Sequence, residues 1–105
     1  MREIGVAELA ELLAEHGDGV QLVDVREPVE FAEARVPGAV LVPMATVPAR
    51  LAELDRERTV HVICRSGHRS AAVAEFLLAQ GYDAVNVAGG TAAWVREGRP
   101  YDAGG

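Results

Sequence analysis

The segment 60–78 constrains the fold most, because its pattern predicts a buried strand, a short loop and then a helix. The apolar residues Val60–Ile63 form the predicted strand, and an apolar helical pattern starts at about Arg69. Cys64, the only cysteine in the sequence, stands where this strand ends. A strand that turns sharply into a helix points backbone N–H groups and the positive end of the helix dipole at this position. We therefore expect Cys64 to have a lowered pKa and to act as a thiolate nucleophile.

The residues that follow the cysteine do not suit a hydrophobic core. They are polar, cationic or glycine: Arg65, Ser66, Gly67, His68, Arg69 and Ser70. A lone cysteine is usually a small buried hydrophobic residue, and this composition argues against that interpretation here. The arginines and the histidine add positive potential, which also lowers the pKa of a thiol. The loop is therefore predicted to hold an anion, either on the sulfur or on a group transferred to it.

Strands and helices alternate along the rest of the chain. Strands are predicted at residues 2–5, 20–25, 39–42, 60–63 and 83–87, and helices at 6–16, 26–34, 46–54, 69–81 and 91–97. This alternation is typical of an α/β fold with about five strands in a mainly parallel sheet and helices on both faces. Residues 1–105 are expected to form one domain, with a flexible end over 98–105.

Three of the predicted strands end in residues that suit a functional site. Cys64 follows the fourth strand, Asp24 and Arg26 lie at the end of the second, and residues 86–90 lie at the end of the last. Ligands of parallel sheets bind beyond the carboxyl ends of the strands. The sequence therefore predicts a site at this edge of the sheet.

The composition argues against several kinds of partner and site. The net charge of −6 disfavours general binding to nucleic acid or to an anionic membrane. A single cysteine allows no disulfide within the chain and no multi-cysteine metal site, and we expect neither a metal nor a cofactor. The chain opens with no signal-like pattern and contains no apolar run of ~20 residues, so a cytoplasmic location is predicted.

Four short motifs resemble those of the single-domain rhodaneses, a family of sulfurtransferases. They are LVDVREPVEF at 22–31, ARVPGAV at 34–40, CRSGHRS at 64–70 and NVAGGTAAW at 86–94. Each string is weak alone, but four in the family's order across nearly the whole chain are specific. The resemblance implies that Cys64 accepts sulfur as a persulfide from a small anionic donor such as thiosulfate. The acceptor would then be cyanide, a thiol or a partner protein.

The sulfurtransferase hypothesis also gives expected roles to the loop. The backbone N–H groups of residues 65–69 would hold the terminal sulfur of the persulfide, and Gly67 is the residue that best tolerates an unusual φ. Ser66 and Ser70 can donate hydroxyl hydrogen bonds, although Ser70 can instead cap the helix. Arg69 is expected to brace the loop.

Charged residues around the loop have two interpretations each. Arg65 and His68 are expected to point outward and attract anionic substrates, or else to be ordinary solvated charges. Asp24 and Arg26 match the family's Asp-x-Arg motif, in which Asp24 would fix the loop and Arg26 would line the mouth. Arg26 could instead simply pair with a neighbouring acid. Arg35 departs from the family, which often has histidine at this position, so the resemblance gives Arg35 no role.

Two other functions stay open at this point. Related folds include phosphatases in which an arginine closes a cysteine loop, but their loops are one residue longer than the segment 65–68 between Cys64 and Arg69. A smaller ring of donors suits one sulfur atom better than a phosphoryl group. The other alternative is a non-catalytic rhodanese-like module for binding or sulfur relay, which the complete cysteine loop disfavours.

Overall fold

The computed structural model describes residues 1–105, and its core is one five-stranded sheet. The strands are β1 Arg2–Ile4, β2 Gln21–Asp24, β3 Val40–Leu41, β4 Val60–Ile63 and β5 Ala84–Val87. The α-helices are α1 Val6–His16, α2 Pro28–Glu33, α3 His68–Ala79 and α4 Gly90–Arg96. The strand order is β1-β5-β4-β2-β3 and every pairing is parallel, so all five carboxyl ends lie along one edge. None of the helices is both long enough and apolar enough to cross a membrane.

Helices cover both faces of the sheet, because its central strands are apolar on both sides. On one face, α3 packs Val73 and Leu77 into a cluster that also contains Cys64. On the other face, α1 and α4 bury Leu9 and Trp94. The valine and leucine side chains among them each contribute about 1.5–3 kcal/mol by leaving water. The two apolar layers and the parallel sheet confirm the predicted α/β fold.

The segment between β3 and β4 differs from the helix predicted at 46–54. It forms two short 3₁₀ turns, Met44–Thr46 and Pro48–Glu53. The Thr46 hydroxyl donates to the backbone oxygen of Pro43 at 2.7 Å. Arg50, in the middle of the second turn, has a non-helical φ of −111°, so an α-helix does not propagate here.

The carboxyl-terminal residues 98–105 lie against α2 rather than free of the domain. Their mobility stays a prediction, but Arg35 and Asp102 exchange two backbone hydrogen bonds of 2.9 and 3.0 Å. The Arg35 guanidinium also donates to the backbone oxygen of Gly104 at 2.8 Å and stacks on the Phe31 ring. Arg35, the residue that departs from the family pattern, thus bonds to the end of the chain and not to the cysteine loop.

Candidate active site

Cys64 lies directly after β4, at the edge where the parallel strands end. The residue is 1% exposed, and its sulfur accepts two hydrogen bonds. The Gly67 N–H donates to Sγ at 3.1 Å, and the Ser70 hydroxyl donates at 3.2 Å. One donor belongs to the loop and the other to the first turn of α3. The loop therefore folds back over the sulfur, and its donors point at the place where an anion is expected.

These donors lower the pKa of Cys64 below its usual value. Burial is the largest single effect and raises the pKa, because it removes water from around the thiolate. The Ser70 hydroxyl and the backbone N–H groups of Ser70, Gly67 and Ser66 act in the opposite direction and together outweigh burial. The direction agrees with the sequence-based expectation. Its main cause is the ring of hydrogen-bond donors rather than the charge of the two arginines.

Ser70 donates to the thiol and does not cap the helix. The residue before α3 is Gly67, and no side chain caps this helix end. Ser70 has no exposed surface, and its hydroxyl is bonded to Cys64 Sγ. Gly67 has a φ of 105°, which favours glycine, and this conformation curves the loop so that its N–H faces the sulfur.

The other loop side chains stay in solvent. Arg65, Ser66 and His68 are exposed, and Ser66 Oγ lies 3.4 Å from His68 Nδ1. Neither Arg65 nor His68 takes part in an ion pair. The guanidinium of Arg65 and the ring of His68 are therefore open to an anion that approaches from solvent.

Arg69 braces the loop through an acidic residue of α2. Its guanidinium donates to both carboxylate oxygens of Glu30, at 2.8 and 2.9 Å. The hydrogen bond from Arg69 is the main reason that the pKa of Glu30 is lowered from 4.5 to about 2. Glu30 was not among the predicted site residues, because its partner is 39 residues away and no local pattern connects the two.

Asp24 and Arg26 bond to each other rather than to the cysteine loop. Arg26 is 4% exposed, and its Nη2 lies 2.7 Å from Asp24 Oδ2. The same guanidinium donates to the backbone oxygens of Glu30 and Ala34, at 3.2 and 2.8 Å. Arg26 borders a cavity of about 380 Å³ together with Arg65, but Asp24 balances its charge. The pair therefore holds α2 in place and reaches the loop only indirectly, through Glu30 and Arg69.

The chain after β5 meets the cysteine loop through its backbone. The Thr91 N–H donates to Cys64 O and the Ala92 N–H donates to Arg65 O, both at 2.9 Å. Gly90 makes this approach feasible, since a Cβ there would lie 2.7 Å from the carbonyl carbon of Arg65. The end of β2 also meets the end of β4 directly, because the Val25 N–H donates to Ile63 O at 3.0 Å. All three strand ends predicted to converge therefore meet in direct hydrogen bonds.

A separate cavity of about 680 Å³ lies beside α1, β2 and β3. No residue of the cysteine loop lines it, and its walls are mainly apolar and hold no nucleophile. No cluster of three or more His, Cys, Asp or Glu side chains is arranged to hold a metal ion. This cavity is therefore separate from the candidate site at Cys64.

The fold and the site define a class of α/β domains in which a loop of N–H donors surrounds one cysteine. A model of the rhodanese-like domain matches residues 6–97, so the chain belongs to the rhodanese-like domain family. A sulfurtransferase of Allochromatium vinosum is 42% identical over 101 residues, which cover 95% of this chain and 94% of the relative.

Two further comparisons agree with this family. The putative sulfurtransferase YtwF of Bacillus subtilis is 41% identical, over 95% of this chain and 96% of the relative. The crystal structure of a rhodanese-like domain protein from Staphylococcus aureus has a TM-score of 0.84 and 44% sequence identity, and the match covers 90% of this chain and 91% of that chain. The family resemblance drawn from the four motifs is confirmed, and the names of the relatives support sulfur transfer or sulfur relay.

Proposed function

We propose that this protein is a sulfurtransferase that moves a sulfane sulfur from a small anionic donor to a thiophilic acceptor through a persulfide on Cys64. Thiosulfate is the proposed donor, and cyanide, a thiol or a partner protein is the proposed acceptor. The observation that carries the proposal is the pair of hydrogen bonds from Gly67 and Ser70 to a buried cysteine sulfur. Such donors stabilise an anion at that point, and a structural cysteine has no need of them.

Two displacements make up the proposed reaction. The Cys64 thiolate attacks the outer sulfur of thiosulfate, the sulfur–sulfur bond of the donor breaks, and sulfite leaves with the bonding electron pair. The nucleophilic acceptor then attacks the terminal sulfur of the persulfide, and the Cys64 thiolate leaves with the electron pair of the bond that breaks. No oxidant is needed, because each displacement forms one bond to sulfur as it breaks another and the enzyme returns to its thiolate form.

The ring of donors serves both displacements. Before the reaction the N–H groups and the Ser70 hydroxyl stabilise the thiolate, and after it they would stabilise the terminal sulfur of the persulfide anion. Because the loop is already held in this shape, little reorganisation is needed when charge moves from one sulfur to the next. The exposed Arg65 and His68 would raise the local concentration of an anionic donor.

The state of Arg69 argues against a phosphatase. An arginine that closes a phosphate-binding loop must present its guanidinium to the phosphoryl oxygens. Here both donor groups of Arg69 that face α2 are bonded to Glu30. The arginine therefore acts as a brace between α3 and α2, and a phosphoryl group would compete with a carboxylate for it.

The test is the intact mass of the protein after incubation with thiosulfate. We expect one added sulfur atom on the wild-type chain, its loss on addition of cyanide, and no addition to Cys64→Ser. A hydroxyl cannot form a persulfide, so this variant should fold normally and transfer no sulfur. Sulfur transfer by Cys64→Ser above background, or a wild-type protein that gains no sulfur, would contradict the proposal.

A further inference from the structure

We infer that Asn86, held by Glu3, is a positioning residue that aims the Gly67 N–H at the sulfur of Cys64. Asn86 lies on β5 and is 1% exposed. Its Nδ2 donates to the backbone oxygen of Gly67 at 3.2 Å and to Glu3 Oε2 at 2.7 Å. Gly67 in turn donates its N–H to Cys64 Sγ at 3.1 Å. A continuous chain of hydrogen bonds therefore runs from β1 through β5 to the reactive sulfur.

The chemistry of the contacts fixes the orientation of the Asn86 amide. A carbonyl and a carboxylate are both acceptors, so only the NH₂ group can satisfy Gly67 and Glu3 together. The Oδ1 atom is buried and has no partner. A buried acceptor without a partner destabilises the folded protein, and an apolar side chain would avoid that cost. The position therefore depends on the two N–H donors of this amide, and these act on the loop.

Gly67 needs an anchor because the backbone dihedral angles of glycine are only weakly restricted. Glycine has the widest choice of backbone conformation, and this one has a φ of 105°. Its carbonyl accepts from Asn86 and from the Ala71 N–H at 3.2 Å, so one side of the residue is fixed while its N–H faces the sulfur. Without Asn86, rotation about Gly67 would turn this N–H away from Sγ. The thiolate would then lose one of the donors that offset its burial.

Glu3 holds the Asn86 amide from the side opposite the cysteine loop. The two residues are partners in the parallel register of β1 and β5, and Glu3 itself is exposed. Its carboxylate accepts the N–H that does not face the loop. The amide is therefore tethered on both sides and cannot rotate away from Gly67.

The first test compares the alkylation of Cys64 in wild-type protein and in Asn86→Leu as a function of pH. Iodoacetamide reports the thiolate without any sulfur donor, so this readout does not depend on the proposed function. We expect a higher pKa for Cys64 in the variant, and about tenfold slower alkylation at a pH where most of the thiol is protonated. For sulfur transfer, which rests on the proposed function, kcat should fall about tenfold with little change in KM. This is less than the roughly hundredfold effect of removing an anion-hole donor outright.

Val85→Ala is the matched control for loss of stability. Val85 is buried on the same strand, but it packs in the cluster on the other face of the sheet. The Val85→Ala substitution should lower the melting temperature and leave the pKa of Cys64 unchanged. An unchanged pKa in Asn86→Leu, or an equal rise in Val85→Ala, would overturn the positioning role.

A second pair of variants keeps the test decisive if Asn86→Leu does not fold. Glu3→Gln and Glu3→Ala both remove one negative charge from an exposed position, and only glutamine keeps an acceptor for Asn86 Nδ2. We expect slower alkylation in Glu3→Ala than in Glu3→Gln, by about twofold to fivefold. Equal rates in the two variants would show that Glu3 does not hold the amide and would overturn the proposed chain of hydrogen bonds.

Discussion

Replacing Ser70 by alanine tests whether side-chain donors or loop charges control the reactivity of Cys64. The substitution removes only the hydroxyl that bonds to Sγ at 3.2 Å. The backbone N–H groups of Ser70, Gly67 and Ser66, which also lower the pKa, stay in place. We therefore expect the pKa of Cys64 to rise, because burial is then less completely offset.

The size of the effect follows from the bond that is lost. A hydrogen bond to a charged group contributes about 1.5–3 kcal/mol. Sulfur is a weak acceptor, so the lower value of about 1.5 kcal/mol is the better estimate. Since about 1.4 kcal/mol corresponds to a factor of ten, the thiolate fraction should fall about tenfold at any pH well below the pKa.

The assay is the rate of iodoacetamide alkylation across the pH range, with Ser66→Ala as the control. Ser66 is exposed, and its hydroxyl contacts His68 rather than the sulfur. Ser66→Ala should follow the wild-type profile, whereas Ser70→Ala should be shifted to higher pH. Identical profiles for Ser70→Ala and wild type would refute the assignment of the hydroxyl as a thiolate donor.

Three further predictions concern charges around the site. Glu30→Gln should lower the free energy of unfolding, measured by urea titration at neutral pH, by about 1 kcal/mol. The loss is this small because both side chains of the Glu30–Arg69 ion pair are partly exposed, so that solvent screens their attraction. The pKa of Glu30 is lowered to about 2, so this contribution is present above pH 4.5 and should be lost as the pH falls from 4.5 to about 2. A difference that persisted at the acid end would contradict this. Burial lowers the pKa of His61, so the folded state favours the neutral ring, and the free energy of unfolding should decrease as the pH falls below 6.5. His61→Leu should remove that pH dependence at little cost, since His61 Nδ1 has no partner; an unchanged pH dependence would assign it to another group. Arg65→Ala should raise the KM for thiosulfate roughly twofold to fivefold with a smaller change in kcat, because exposed charges contribute at most about 1 kcal/mol. A large fall in kcat at constant KM would instead place Arg65 at the reacting atoms.

The parts of the fold that local sequence determines were the easiest to predict. The run Val60–Ile63 followed by a polar loop places Cys64 at a strand end in any parallel sheet, and the structure has it there. The segment 46–54 was predicted wrongly, because the backbone of Arg50 leaves the helical region within an otherwise helical composition. Helical periodicity carries no information about such a local departure of the backbone.

The parts of the site that depend on distant contacts were missed. Glu30 and Asn86 lie within two of the four motifs, but no role was predicted for either side chain, because their partners in the cysteine loop are 39 and 19 residues away. Ser70 was expected from residue statistics to be a helix cap as readily as a donor, since serine commonly caps helices. Its position over Sγ depends on the way that Gly67 curves the loop, and that is known only once the chain is folded.

The loop around Cys64 is held from three sides, and such a loop would allow a buried cysteine to react as proposed. Glu30 on α2 anchors Arg69, Asn86 on β5 anchors Gly67, and the backbone at the start of α4 bonds to Cys64 itself. Burial alone would raise the pKa of the thiol and make it inert. Because the anchors fix the donors in advance, those donors can offset burial without reorganising when the sulfur becomes charged. In the proposed function the reactivity of Cys64 would then depend on the loop's geometry, whereas the exposed Arg65 and His68 would affect how often an anion arrives.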